Sequence, residues 1–462
     1  MAGELINLSV EKLLDKFGAG GHKPGAGSAV ALQGMVAAKL IKTVIDITRT
    51  KEDYKAHWND LEKFGKEIDD SIYPNLQKLM QDDSDQFDKV IISRTERNKE
   101  KNLIKKAQLM QQALDELKVS ITIPLDIAHQ CLRLGDIAIF IFDNGYKSTR
   151  GDSSVGINST IAALAGCLSI IDLNLISLPN DAWTEQARLD TEQTRTSYMH
   201  LVSEGSLRAE VLQEEAKRVN LFYSELDLIR SKIQNNLNLS NQQLEAATRE
   251  LHLTMWDYRD LIWKKDTPVR PLDILKPEKL LGKLGYAFRL EDYLGNHTEN
   301  GVQFEVAGQI DGEHKYVSVS RNFPPQTQLF TCAHELGHAL LNPGQSLHRD
   351  RPVDGSQTGP PVPQEIQANR FAGFFIMPRK QVEEIFKLLF LTTKFEINEY
   401  NATGLNIHIT ELRKLCKSPR DLSRLLATTD FFYRPINSIA NQFQTSQGAM
   451  AIRLEECGLI RF

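Results

Sequence analysis

The feature that most constrains the fold is a change of pattern near residue 266. Before it, helical spacing runs through long stretches such as YKAHWNDLEKFGKEIDDSIYPNLQKLMQ (54–81), and strand-like alternation is hard to find. The segment DTPVRP (266–271) ends the helical pattern, because proline disfavours helical backbone in the residue before it. We therefore predict a multidomain chain: an all-α helical bundle (1–200), a helical, coiled-coil-like connector (201–266) and a mixed α+β domain (267–462).

Composition narrows the class of protein. The chain has 462 residues, a net charge of −5 and 25% charged residues, which gives no sign of a general nucleic-acid or membrane surface. The first residues lack a signal peptide pattern, and the five cysteines are scattered without a CxxC pair. The most apolar stretch (161–178) contains Asp172 and Asn174, which favours a buried helix. We expect a cytoplasmic protein that binds neither membrane nor nucleic acid directly.

The predicted connector carries one apolar seam. Its first part has Leu226, Ile229, Ile233 and Leu237 at helical spacing, and the second part continues the spacing with Leu244, Ala247, Leu251, Met255, Tyr258 and Ile262. Ser240 followed three residues later by Gln243 is typical of a capping box that begins the second helix. Two interpretations are about equally favoured: a coiled-coil-like hairpin, or two amphipathic helices that pack on a neighbouring domain.

The motif HELGH (334–338) indicates a metal site. Residues four apart share one face of a helix, so His334 and His338 can point at the same ion, and Glu335 lies where it can accept a proton from water. The third ligand is open, because position 344 is glycine where the metzincin pattern needs histidine. His348 is one candidate. Glu365 is a better one, although a glutamate in a first helical turn also merely complements the helix dipole.

Residues 267–462 resemble the ImmA/IrrE family of zinc endopeptidases in FTCAHELGHALL, EIQANRFAGFFIMP and IANQFQTSQGAMAIRLEECGLI. The resemblance implies a gluzincin-like metallopeptidase with His334, His338 and Glu365 as zinc ligands and Glu335 as general base. It also implies a substrate-binding edge strand just before the metal helix. The strand HKYVSVS, after a hairpin turn at Asp311-Gly312, occupies that position, and its expected substrate-binding residues are Val317, Ser318 and Val319.

The end of the chain (436–460) has the shape of a helix-turn-helix. Its second helix offers only Arg453 and Arg461 as cations, which are too few for a helix that reads a DNA groove. A packing element of the peptidase-like domain is the favoured interpretation.

Residues 5–200 resemble the cyclodeaminase/methenyltetrahydrofolate cyclohydrolase family, also found at the end of formiminotransferase-cyclodeaminase. The matching stretches are LLDKFGAGGHKPGAGSAVALQGMVAAKLI, DDSDQFDKVI, TIPLDIAHQCLRL and GDSSVGINSTIAALAGCLSIIDLNLISL. The resemblance implies a dimeric helical bundle with a folate pocket, whose residues here would be Pro24, Gly25, Gly27, Ser28, Asp83 and Asp152.

Two positions depart from this family's pattern: Ala26 replaces the middle glycine of PGGGS, and Gly151 replaces serine before Asp152. Because alanine resists close approach of a ligand to the backbone, a degenerate or ligand-sensing domain is favoured over a working cyclohydrolase. The alternative for the loop itself is that Ser28 and the glycines only cap a helix.

Together these patterns predict a zinc-dependent endopeptidase that cleaves a protein substrate, such as a regulator or repressor in stress response or antiphage defence. The helical domain would make it a homodimer or regulate it, with a folate-like ligand as a second cofactor beside Zn²⁺. Two alternatives stay open. One is a folate cyclohydrolase or cyclodeaminase with a regulatory C-terminal domain, and the other is a non-catalytic zinc scaffold.

Overall fold

The computed structural model describes residues 5–21, 23–263, 265–299, 302–342, 348–350, 362–432 and 437–462. The chain divides into two compact units, residues 1–216 and 217–462. The first unit contains α1 (Val10–Gly18), α2 (Ala26–Arg49), α3 (Trp58–Glu67), α4 (Tyr73–Lys99), α5 (Leu103–Asn144) and α6 (Arg150–Leu175). The long helix α7 (Ala182–Ile233) includes the residues at which the units divide.

The second unit contains both helices and strands. Its helices are α8 (Asn241–Asp257), α9 (Arg259–Ile262), α10 (Pro277–Lys283), α11 (Pro325–Leu341), α12 (Pro363–Ile376), α13 (Arg379–Phe390), α14 (Glu399–Gly404), α15 (Ile409–Leu415), α16 (Pro419–Thr428), α17 (Ile439–Gln442) and α18 (Gln447–Glu456). Its strands are β1 (Ala287–Glu291), β2 (Asn296–Glu299), β3 (Val302–Glu305), β4 (Gly308–Asp311), β5 (Tyr316–Ser320), β6 (His348–Asp350), β7 (Phe395–Glu396) and β8 (Ile460–Arg461). A helical first part followed by a mixed α+β part confirms the predicted fold class.

Small residues let the helices of the first unit pack closely. A Cβ atom at Gly156 on α6 would lie 2.9 Å from Cγ1 of Ile41 on α2, and one at Gly34 would lie 3.0 Å from Sγ of Cys131 on α5. A larger side chain at either position would push the helix axes apart. The small-residue segments after the two glycine-rich breaks therefore form the tightly packed centre of the bundle, as their composition predicted.

Two helical segments of this unit, Ala26–Arg49 and Lys147–Leu175, are long and apolar enough to cross a membrane by length and composition alone. In the described structure about half of each apolar window is buried inside the protein, 56% and 44% respectively. The core helices of a soluble bundle pass the same test, so this feature is weak evidence for a membrane span. Cys167 and Ile171, in the most apolar stretch, are fully buried in the helical unit.

The apolar seam of residues 226–262 belongs to the core of the second unit. Nearly all of its members are buried in one cluster with the helices and sheet around α11, and Leu237 is the half-exposed exception. Ser240 and Gln243 form the predicted capping box at the start of α8: each side chain accepts a hydrogen bond from the other residue's backbone N–H. The seam thus packs like two amphipathic helices against a neighbouring core.

The main sheet of the second unit has the strand order β1-β5-β4-β6. β5 pairs in parallel with β1 and antiparallel with β4, and β4 pairs antiparallel with β6. The predicted hairpin joins β4 and β5, and Asp311 stabilises its turn by accepting hydrogen bonds from the backbone N–H groups of Glu313 and His314.

The prediction that β5 is an edge strand is wrong. Neighbouring strands occupy both of its backbone edges, so a substrate peptide has no free row of hydrogen-bonding groups to pair with. Val317, Ser318 and Val319 are all buried, which leaves neither face of the strand accessible. The sequence pattern identified the strand but not its place in the sheet, because alternation of side chains does not specify the neighbouring strands.

The C-terminal helices α17 and α18 are a packing element of this unit. Arg453 is 1% exposed, donates a hydrogen bond of 2.9 Å to the carbonyl oxygen of Met377, and pairs with Glu245 and Glu456. Arg461 lies on β8 and not on the second helix, and its largely exposed side chain bonds Glu396 at 2.9 Å. Arg453 is therefore the cation of this segment that packs inside the unit.

Candidate metal centre

The helix α11 presents two imidazoles to one point. Pro325 begins the helix, where its missing N–H costs no hydrogen bond, and the second half of the helix is buried. His334 and His338 lie one turn apart, and their Nε2 atoms are 3.0 Å from each other. Both side chains are almost fully buried. Such convergence of two ring nitrogens is typical of metal ligands.

Glu365 completes the group from the next helix. Pro363 starts α12, and Glu365 in its first turn places Oε2 3.3 Å from Nε2 of His334 and Oε1 3.3 Å from Nε2 of His338. The three ligand atoms lie within 4.8 Å of one another. Ligands at about 2.0–2.1 Å from a tetrahedral zinc ion stand roughly 3.3 Å apart, so these side chains fit that ion with little rearrangement.

Gly337, the glycine of HELGH, brings the two helices together. A Cβ atom at this position would lie 3.2 Å from the Cα atom and 3.3 Å from the carbonyl oxygen of Ala368 on α12. These contacts are tighter than nine in ten real Cβ contacts, and the neighbour is backbone that cannot rotate away. The glycine therefore permits the close crossing at which a glutamate of α12 reaches the histidines of α11.

Gly308, at the start of β4, is a residue of the site that the sequence reasoning missed. A Cβ atom there would overlap Oε1 of Glu335 and Cγ2 of Thr331, so the bare backbone of the strand packs directly against the candidate base. Glu335 itself is fully buried. The available signal was an isolated glycine in a strand pattern, which often marks close approach of the backbone to another group.

The alternative metal ligand His348 begins β6, but its side chain lies outside the part that the structure describes. Among the described residues, His334, His338 and Glu365 are the group of metal-ligating side chains that the fold assembles.

Three of the residues predicted to line an N-terminal pocket, Gly27, Ser28 and Asp83, lie in direct contact with one another. Oγ of Ser28 lies 3.0 Å from Oδ2 of Asp83 and 2.9 Å from the carbonyl oxygen of Met80, and the backbone N–H of Ser28 also donates to Asp83. A Cβ atom at Gly27 would overlap the carboxylate of Asp83. Burial raises the pKa of Asp83, and the hydrogen bonds from Ser28 oppose that rise.

The interpretation that Ser28 caps its own helix is wrong, because α2 begins without a side-chain cap and the hydroxyl instead bonds α4. The carboxylate of Asp83 accepts a hydrogen bond from the backbone N–H of Ser28 in the first turn of α2. A negative charge is favoured at this end of a helix. Pro24 and Gly25 precede this turn. Asp152 is exposed in the first turn of α6, and within the described residues no hydrogen bond joins it to Ser28 or Asp83.

Comparison with known proteins identifies two different families in the two parts of the chain. Residues 9–193 match the family model described as Formiminotransferase-cyclodeaminase, and residues 291–396 match the peptidase model described as IrrE N-terminal-like domain. The chain thus combines a cyclodeaminase-like helical domain with an IrrE-like peptidase domain, which confirms both resemblances drawn from the sequence.

Two individual proteins are similar to about half of this chain. The methenyltetrahydrofolate cyclohydrolase of Methylorubrum extorquens is 25% identical over 221 residues, which cover 48% of this chain and 100% of that protein. A crystal structure of formiminotetrahydrofolate cyclodeaminase from Thermotoga maritima is 17% identical, covers 45% of this chain and 99% of that one, and superposes with a TM-score of 0.41.

Proposed function

We propose that this chain is a zinc-dependent endopeptidase of a protein substrate. The observation that carries the proposal is the convergence of His334, His338 and Glu365 beside a buried Glu335 on the same helix. An IrrE-like peptidase domain around these residues supports it.

The three ligands would hold the ion, and zinc would supply a Lewis acid that polarises a peptide carbonyl and acidifies water. Glu335 would accept the proton of the attacking water and deliver it to the leaving amine. Its burial excludes bulk water from the carboxylate, and the backbone of Gly308 limits where that carboxylate can stand. The protein therefore contributes ligand geometry and a positioned base.

A substrate peptide would pair with β6 instead of β5. Within the described strands, β1 and β6 are the outer strands of the main sheet, and β6 is bonded to β4, whose Gly308 touches Glu335. An extended peptide on the outer edge of β6 would add a strand on the side of the sheet nearest this base.

The helical domain would supply assembly and regulation. Its resemblance to folate enzymes supports a pocket for a folate-like ligand. The homodimer and the cytoplasmic location are proposals that follow from the sequence alone. The substrate we propose is a regulator or repressor protein in stress response or antiphage defence, which follows from the ImmA/IrrE resemblance alone.

Comparison of protein N-termini in cells with wild type and Glu335→Gln tests the proposal. Loss of a general base slows a reaction by about 10²–10⁴-fold, so at least one new N-terminus should appear with the wild type only. Both proteins should bind equal zinc, because the substitution leaves all three ligands in place. Identical sets of N-termini with equal zinc content would refute peptidase function.

A second candidate, a folate cyclohydrolase or cyclodeaminase, is favoured by the match over the full length of the Methylorubrum enzyme. It predicts turnover of methenyltetrahydrofolate that survives Glu335→Gln and is lost in Asp83→Asn. Absence of turnover in the wild type would remove this candidate and leave the peptidase proposal intact.

A further inference from the structure

The second unit contains a cavity of about 640 Å³ that the proposed peptidase reaction does not use. One side of it is α8, and the other walls come from Ile274, the end of α12, the start of α13 and Arg453 on α18. The candidate ligands and Glu335 do not line it. Its volume lies within the range of roughly 300–1,000 Å³ that is common for small-molecule sites.

The cavity has an apolar wall that the fold leaves partly uncovered. Leu253 is 57% exposed, Trp256 is half-buried, and Phe374 closes the inner side. The exposed side chains of Leu253 and Trp256 are hydrated at a cost in free energy. An apolar group bound in the cavity would remove this cost by covering them. The aromatic side chains of the wall suit an aromatic ligand body.

The charges around the cavity are mostly positive. Its lining carries four cations, Arg249, Arg379, Lys380 and Arg453, against the single carboxylate of Glu245. Glu245 is already engaged: Arg379 donates two hydrogen bonds of 3.2 Å to it, and Arg453 pairs with it as well. The carboxylate is therefore neutralised from inside the protein and does not repel an incoming anion.

The remaining two cations lie outside this network. Arg249 is exposed on α8, and Lys380 is exposed on α13, with Glu384 3.9 Å away as a loose partner. An ion pair at this distance on the surface contributes little, so an anionic ligand competes with it at small cost. Both side chains are thus available to an acidic group at the entrance.

We propose that this cavity binds a small organic anion with an aromatic body. The ring system lies against Leu253, Trp256 and Phe374, and its acidic group pairs with Arg249 and Lys380. No residue of the metal centre takes part in binding.

The cavity and the candidate metal centre share the helix α12. Phe374 lies on the helix whose first turn carries Glu365, and Nε2 of His252, also in the lining, bonds the carbonyl oxygen of Phe375 at 2.9 Å. A ligand in the cavity contacts the same rigid helix that supplies the third metal ligand. Control of cleavage by this ligand rests on the proposed peptidase function, whereas binding does not.

Calorimetry of the full chain with three matched compounds tests the site: 1-naphthoate, the neutral 1-naphthalenemethanol and the cationic 1-naphthylmethylammonium. We expect naphthoate to bind at least tenfold more tightly than the alcohol, with the ammonium weakest. The double variant Arg249→Gln/Lys380→Gln should lower the affinity for naphthoate to that for the alcohol. Arg413→Gln, which changes an exposed arginine outside the cavity, should leave it unchanged.

Equal affinity for anion and alcohol, an undiminished affinity in the double variant, or no binding of naphthoate up to about 1 mM would overturn the proposal. Both variants change exposed side chains, and unfolding curves equal to the wild type verify that they fold. For regulation, naphthoate should change the cleavage rate by about fivefold or more. If naphthoate binds without changing the cleavage rate, the regulatory role is overturned and the binding site is not. If naphthoate binds but the protein cleaves nothing in cells, the peptidase proposal is overturned and the binding site is still supported.

Discussion

Replacing Gly308 by alanine tests whether the backbone of β4 positions the candidate base. The added Cβ would overlap Oε1 of Glu335 and Cγ2 of Thr331. Thr331 is nearly fully buried and its branched side chain is short, so the glutamate carboxylate is the group that must move. Overpacking of a buried site costs about 1–3 kcal/mol of stability. Displacement of a catalytic group by about 1 Å lowers the rate by roughly 100-fold.

The assay uses the protein whose cleavage distinguishes wild type from Glu335→Gln. Gly308→Ala should cut it about 100-fold more slowly, because of the displaced carboxylate. It should keep its zinc, because the clash touches none of the three ligands. Gly373→Ala on α12 is the matched control: apart from its own stretch of helix, no atom lies within 4 Å of its added Cβ, and alanine is the better helix former by about 1 kcal/mol. It should keep the wild-type rate.

A Gly308→Ala enzyme as fast and as stable as the Gly373→Ala control would refute the reasoning. A loss of rate that parallels a loss of zinc would also contradict it, since that result would mean that the metal ligands and not the base had moved.

Three further predictions concern other parts of the molecule. Glu365→Ala should lose most of the zinc found by elemental analysis, whereas His314→Ala, which changes an exposed histidine in the same unit, should keep it; equal zinc in both would exclude the proposed centre. Gly27→Ala should lower the free energy of unfolding by about 1–3 kcal/mol because its Cβ overlaps a neighbouring carboxylate, and Gly21→Ala, with open space around it, should not; a stable Gly27→Ala chain would contradict that contact. Burial lowers the pKa of His252 from 6.5 to about 4. The stability that the neutral imidazole contributes is therefore present above pH 6.5 and is lost as the pH falls towards 4. The free energy of unfolding should fall by about 3 kcal/mol over this range. Urea unfolding at several pH values should show this slope in the wild type and a smaller one in His252→Gln, and equal slopes would argue against a neutral buried imidazole.

The sequence predicts features that depend on residues close together in the chain. Helical spacing identified the seam around Leu251, the Ser240–Gln243 pair predicted the start of α8, and the interval between His334 and His338 placed two ring nitrogens on one face. Each of these follows from the 3.6-residue period or from a cap, which a single helix specifies by itself. The change of pattern at residue 266 likewise predicted the mixed second part.

Other features depended on pairing between distant segments. The resemblance implied that β5 is an edge strand, yet it lies inside the sheet, because strand order is decided by contacts between distant segments that a strand's own sequence does not encode. The sequence favoured a packing role for the segment that carries Arg453, but not its partner: Arg453 is fully buried in an ion network with Glu245, 208 positions away in the chain.

By itself, then, the sequence determined the helices, the turn at Asp311 and the two histidines with their glutamate neighbour. Only the tertiary structure decided that Glu365 reaches those histidines, that Gly308 lies against Glu335, and that a cation-lined cavity opens beside α8. The physical reason is that local periodicity orients side chains around one axis, whereas close approach of two backbones depends on how separate elements pack.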